Sequence, residues 1–189
     1  TLEASSAASD VYKRQINANY EISKGHNGLE KALDMIVDKV EKKVDNNHNI
    51  IILSDRKTSK KYAPIPILLV CSYVHHSLIK RKKRSKFGIV IESAEPREPH
   101  HFSMLFGYGA SAINPYMVNE IIEYHHKLGF LNEQKLDKSI DNFNKAIAKG
   151  ILKVMNKIGI STLHSYRGAQ IYEALGLRQK FVNKYFRLN

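Results

Sequence analysis

Cysteine is almost absent. The 189-residue chain has one, Cys71, so an intrachain disulfide is excluded. It lies in the apolar run Ile67–Val74, where a buried, inert thiol is expected rather than a reactive one. No stretch of about 20 apolar residues occurs, which argues against a helical membrane span. No basic, apolar and small-residue series marks a signal peptide, and the cytoplasm is the expected compartment. Acidic residues are few: 18 Asp and Glu face 30 Lys and Arg, a formal net charge of +12. Such an excess invites a nucleic-acid reading. The lysines are scattered, however, and only Lys80–Arg84 is dense. That run follows a predicted helix, whose negative end it complements, and no aromatics alternate with it to stack on bases. A solvated helix end and linker is the expectation. An anionic partner surface or a localisation signal is the lesser alternative, and nucleic acid is not the expected partner.

What is present suits one domain, or one plus a fragment. At 43% apolar residues the chain can bury a core. There is no internal repeat and no long low-complexity tract. Residues 1–15 lack an initiator Met and an apolar period; they read as a translated adapter or scar, so the native pattern is taken as 16–189. Strand and helix then alternate. Ile16–Tyr20 is a short possible strand. Gly25 and Gly28 open a helix whose stripe is Leu29, Leu33, Ile36, Val37, Val40 and Val44. Ile50–Leu53 is uniformly apolar and mostly β-branched, as a strand buried on both faces should be. Pro64 and Pro66 set up a central helix over Ile67–Ile79. A strand is predicted at Phe87–Ile91, a helix at Glu98–Phe106 and a strand at Ala110–Ile113. Helices follow from Asn114-Pro115 to about Leu128 and from Leu136 to Met155. A strand at Gly159–Thr162, a helix at Ser165–Leu175 and another at Arg178–Phe186 complete the series. Strands separated by helices imply parallel crossovers. The predicted fold class is therefore α/β, a mostly parallel sheet covered on both faces by helices from repeated β-α units.

Several groups carry possible chemistry. Gly107-Tyr-Gly109-Ala-Ser-Ala112 has the spacing of a dinucleotide-binding loop. Asn114 and Pro115 intervene before the next helix, and Glu133 is the only acid near the ribose-binding distance. A tight turn where side chains would collide is the plainer reading. The pairs His75-His76, His100-His101 and His125-His126 can suggest zinc, but adjacent helical residues point about 100° apart. No H-E-x-x-H or C-x-x-C accompanies them. His101 is expected to be packed and hydrogen-bonded, with His100 nearer the surface. Asp55 and Arg56 follow one buried strand and Glu92 the next, where open α/β sheets place ligands. With Arg97 and Glu98 they can fix the loops above the sheet through a bidentate arginine–carboxylate contact. Ser161, Thr162 or Ser165 is an expected helix cap. No Ser-His-Asp or Cys-His arrangement can be assembled.

Three ordered blocks, Leu53–Pro66, Glu92–Tyr116 and Lys153–Leu177, share one resemblance. The middle block combines Glu-Pro-Arg-Glu-Pro-His-His with Gly-Tyr-Gly-Ala. Together they resemble the central region of the glutamate synthase large chain. The resemblance implies an α/β domain between an amidotransferase domain that releases ammonia from glutamine and an FMN-bearing synthase domain that adds it to 2-oxoglutarate. An iron–sulfur cluster relays electrons from NAD(P)H or ferredoxin in that family. No cofactor is expected in this piece, because the nucleophilic cysteine, the flavin barrel and the cluster ligands are missing. No catalytic, cofactor or metal residue is carried over. The implied partners are the flanking domains and, as a further candidate, a small electron-donor subunit, with no membrane partner. Asn156, where serine is more familiar, and Lys80–Arg84 depart from the family pattern.

Overall fold

The computed structural model describes residues 13–131 and 135–187. In order, the elements are β1 (Lys13–Asn17), β2 (Asn19–Glu21), α1 (Gly25–Asp45), β3 (Ile50–Ser54), β4 (Tyr62–Pro64), α2 (Ile67–Lys80), β5 (Gly88–Glu92), α3 (Pro99–Gly107), β6 (Ala112–Asn114), α4 (Tyr116–Lys127), α5 (Leu136–Ile158), α6 (Leu163–Tyr166) and α7 (Gln179–Tyr185). The strands β1-β3-β5-β6 form a parallel sheet in that spatial order, and β2 pairs antiparallel with β4. The fold is α/β with a mostly parallel sheet.

Strand order explains how the helices are arranged. Each crossover advances in the same direction across the sheet, so crossovers of the usual right hand bring successive helices to the same face. α1 packs against α2, and α2 against α3. Strand burial agrees: Ile16, Ile51, Leu53, Ile89 and Ile91 are buried, whereas the alternate residues Ile50, Ile52 and Val90 remain partly open. The expected cover on both faces therefore needs correction, because Ile50–Leu53 is fully buried on only one. The core behind it comprises Leu33, Ile36, Val37, Val40 and Val44 of α1 and Ile67, Val70, Cys71, Val74 and Leu78 of α2. Each such aliphatic side chain contributes on the order of 1.5–3 kcal/mol by leaving water. α7 returns to this core, where the Ser72 hydroxyl donates to the Tyr185 carbonyl at 2.7 Å.

Other local expectations shift. The strand read at Ile16–Tyr20 is two strands that meet at Ala18, whose N–H donates to Ser54 O and whose carbonyl accepts from Ile65 N–H. β1 begins at Lys13, so the boundary drawn after Gln15 falls inside a strand, while residues 1–12 lie outside the described residues. Ile160–Thr162 is not a strand. The helix read at Ser165–Leu175 is only the short α6. Gly168 (φ 72°) and Gln170 (φ 53°) turn the chain there, and the Gly168 N–H is drawn to Gly107 O at 2.9 Å. The cap prediction resolves to Thr162, whose hydroxyl oxygen accepts from Ser165 N–H.

Candidate functional site

At the carboxyl edge of the sheet, β3 delivers Asp55 and Arg56, and β5 ends on Glu92. Asp55 is buried at 1% exposure. Its carboxylate accepts from the Ser93 hydroxyl at 2.5 Å, the Ala94 N–H at 3.1 Å and the Tyr116 hydroxyl at 2.7 Å. One aspartate thus ties β3 to the loop after β5 and to the start of α4. The same bond raises the Tyr116 phenol above its ordinary pKa, after desolvation as the larger cause.

Arg56 lies just outside this buried knot. It donates from Nε to Glu92 Oε1 at 2.9 Å and from a terminal nitrogen to Glu120 Oε1 at 3.3 Å, with its guanidinium 4.0 Å from the Tyr116 ring centroid. Its pKa is raised, chiefly by the Glu92 hydrogen bond. The expected bidentate contact to one carboxylate is instead a bridge between two. Glu92 also accepts from the Ser54 hydroxyl at 2.6 Å and from Gln15 Nε2 at 3.0 Å. Desolvation is the largest influence on Glu92 and pulls its pKa upward, but Ser54 and Arg56 together outweigh it and leave the pKa lowered.

Arg97, Glu98 and His101 do not join this cluster. Glu98 stands at the N-cap of α3, with Pro99 in its first turn. His101 Nδ1 accepts from the Arg97 N–H at 3.2 Å, and its other ring nitrogen lies 3.4 Å from Glu98. His101 is hydrogen-bonded as expected but exposed rather than packed, in the first turn of α3; His100 is exposed too. The buried pair is His75-His76 on α2. Glu95, not singled out by its sequence, accepts from the Ile67 N–H at 3.1 Å and so satisfies a free donor at the α2 N-terminus.

The glycine segment is a packed turn. A β-carbon on Gly107 would lie 2.8 Å from the Tyr172 ring, and one on Gly109 only 2.1 Å from His75 Nδ1. Gly109 also has φ 99°, which L side chains rarely adopt. His75 and Tyr172 therefore occupy the space a pyrophosphate would need. Glu133 lies outside the described residues. Cys71 is buried among apolar neighbours, and desolvation pushes its thiol up to about 12. The charge run is not simply solvated either. Arg81 reaches Asp38 and Glu41, Lys83 reaches Glu41 and Asp45 on α1, and Arg84 turns inward. No described helix is long and apolar enough to cross a membrane.

Residues 1–178 match the family profile described as the glutamate synthase central domain, a match that starts within the segment set apart on sequence grounds. The chain is 41% identical over 158 residues to the glutamate synthase (NADPH) large chain of Bacillus subtilis, covering 84% of this chain and 10% of that one. It is 42% identical over 168 residues to the glutamate synthase (NADH) of Schizosaccharomyces pombe, covering 87% and 8%. With the ferredoxin-dependent glutamate synthase of Pyropia yezoensis it shares 34% identity over 184 residues, covering 92% and 12%. The chain thus spans about a tenth of the length of the curated relatives it matches.

Proposed function

The chain belongs to the glutamate synthase central-domain family, and from that premise we propose that it is the connecting part of a longer glutamate synthase. The parent polypeptide, an oxidoreductase, converts glutamine, 2-oxoglutarate and a reductant to two glutamates. This segment holds the amidotransferase and flavin-bearing synthase domains in register. The observation that carries this reading is the saturation of Asp55. Its carboxylate is buried and satisfied by three donors from two places in the chain, the loop after β5 and the start of α4, which suits a brace rather than an acid or base free to act. A rigid brace matters because a small misplacement of coupled centres lowers rate steeply.

The residues present do not fit the cofactors of the parent. A cluster needs several thiolates, and the single thiol here is desolvated and held protonated. The backbone at Gly107 and Gly109 is covered by Tyr172 and His75, so neither glycine gives a flavin phosphate the close approach of a dinucleotide-binding loop. No step of the reaction is therefore assigned to these side chains. The choice among NADPH, NADH and ferredoxin belongs to other parts of the parent. Purified chain supplied with FMN should retain no stoichiometric flavin after gel filtration and form no glutamate from glutamine and 2-oxoglutarate. Retained flavin at one per chain would overturn the assignment.

A further inference from the structure

The opposite, amino-terminal edge of the sheet holds a different cluster. Arg84 donates from Nε to His75 Nδ1 at 2.9 Å and from its two terminal nitrogens to Phe87 O and Gly109 O, each at 2.7 Å. All three acceptors are neutral. Because His75 accepts through Nδ1, its ring proton sits on Nε2. Burial, helped by Arg84, lowers its pKa to about 3, so it brings no charge of either sign near neutral pH. Arg167 donates to Ser111 Oγ at 3.3 Å and lies 3.2 Å from His164 Nδ1. Arg84, Arg167, Ser85, Ser111, His75 and His164 border one open cleft of about 550 Å³, whose lining contains no Asp or Glu.

What sets Arg84 apart is that it is withdrawn from water without a carboxylate beside it. The exposed Arg56 and Arg81 each reach two carboxylates. Arg84 is less exposed than either, yet neither it nor Arg167 forms an ion pair among the described residues. Withdrawing a cation from water without a counter-ion is unfavourable. Desolvation, with repulsion from Arg167 as a smaller contribution, lowers the Arg84 pKa from its ordinary value. Donors also remain to spare. A guanidinium has five N–H groups, and three of those on Arg84 and two on Arg167 suffice for the contacts above. Ser111 Oγ accepts from Ile89 N–H and from Arg167, which frees its own hydrogen to donate.

We propose that this cleft binds one oxyanion, a carboxylate or phosphate group, between Arg84 and Arg167 with the Ser111 hydroxyl as a third donor. Paired guanidiniums suit the planar or tetrahedral oxygens of such a group. The site is remote from the Asp55 brace and does not depend on the connecting role. The oxyanion is either a free small anion or a carboxylate presented by another part of the parent polypeptide.

Phosphorus-31 relaxation of inorganic phosphate, measured with the 189-residue chain at constant ionic strength and competed with malonate, tests the site. Saturable broadening that malonate reverses is expected. Arg167→Gln and Ser111→Ala should each weaken it, the former by about tenfold. Lys86→Gln, an exposed cation outside the cleft lining, should leave it unchanged. Unsaturable broadening, or equal loss in Lys86→Gln and Arg167→Gln, would overturn the proposal. If either cleft variant unfolds, the other supplies the comparison. The parent polypeptide separates the two sources. Binding retained there identifies a free anion, and binding lost there but present in the chain identifies an internal carboxylate.

Discussion

Replacing Asp55 by Ala removes one carboxylate and strands three donors at once: the Ser93 hydroxyl, the Ala94 N–H and the Tyr116 hydroxyl. The two hydroxyls can rotate toward other partners, but the backbone N–H cannot. A buried donor without a partner costs about 1–3 kcal/mol, and hydrogen bonds to a charged group are the stronger class. The loss should therefore be about 3–5 kcal/mol. For a chain of this size, each kcal/mol lowers Tm by about 2–4 °C, so a drop on the order of 10 °C is expected. Urea denaturation followed by circular dichroism measures the same loss as a shift in midpoint. Tyr116→Phe alone removes a single contact and should cost about 1 kcal/mol. Combined with Asp55→Ala it should add little, because its partner is already gone. A loss under about 1 kcal/mol for Asp55→Ala, or full additivity with Tyr116→Phe, would refute the brace.

Gly109→Ala should destabilise the chain by about 2–4 kcal/mol in the same assay, since the new methyl meets the His75 ring and the φ of 99° disfavours any side chain; unchanged stability would remove the packed-turn reading. His75 is neutral when folded and has a depressed pKa of about 3. Its stabilising share is full above the unfolded value near 6.5 and is lost as pH falls from there toward about 3. Between pH 7 and pH 5 that loss is about 2 kcal/mol, and His75→Gln should flatten the stability profile in this window. Cys71 should resist a disulfide reagent at pH 8 in the folded chain and react at once in denaturant, because its thiol is buried and stays protonated.

Much of the scaffold was legible because its signals are local. Ile50–Leu53 and the Leu33–Val44 stripe state their own burial, and Ile67–Ile79 is nearly the whole of α2. β4 was hidden because Tyr62–Pro64 sits beside lysines and becomes a strand only by pairing with Asn19–Glu21. The helix expected through Leu175 fails for a similar reason: the tertiary bond from Gly168 to Gly107 stops it after one turn. At the carboxyl edge, the strand ends pointed to Asp55, Arg56 and Glu92. Tyr116 is 61 residues from Asp55, and nothing in the local pattern marks it as a partner. Arg97, Glu98 and His101 had the right residue types but serve the start of α3. The charge run misled because helix-end statistics do not reveal that Arg84 turns beneath the sheet edge toward Gly109.

The central claim is that this segment positions two reaction centres without acting chemically. Its most direct test is the stoichiometry of the parent polypeptide bearing Arg56→Gln, which loosens the bridge from Glu92 to Glu120. Less glutamate formed per glutamine hydrolysed, with flavin content and glutaminase rate unchanged, is the predicted result. An unaltered ratio, or a loss of flavin from the variant, would contradict it.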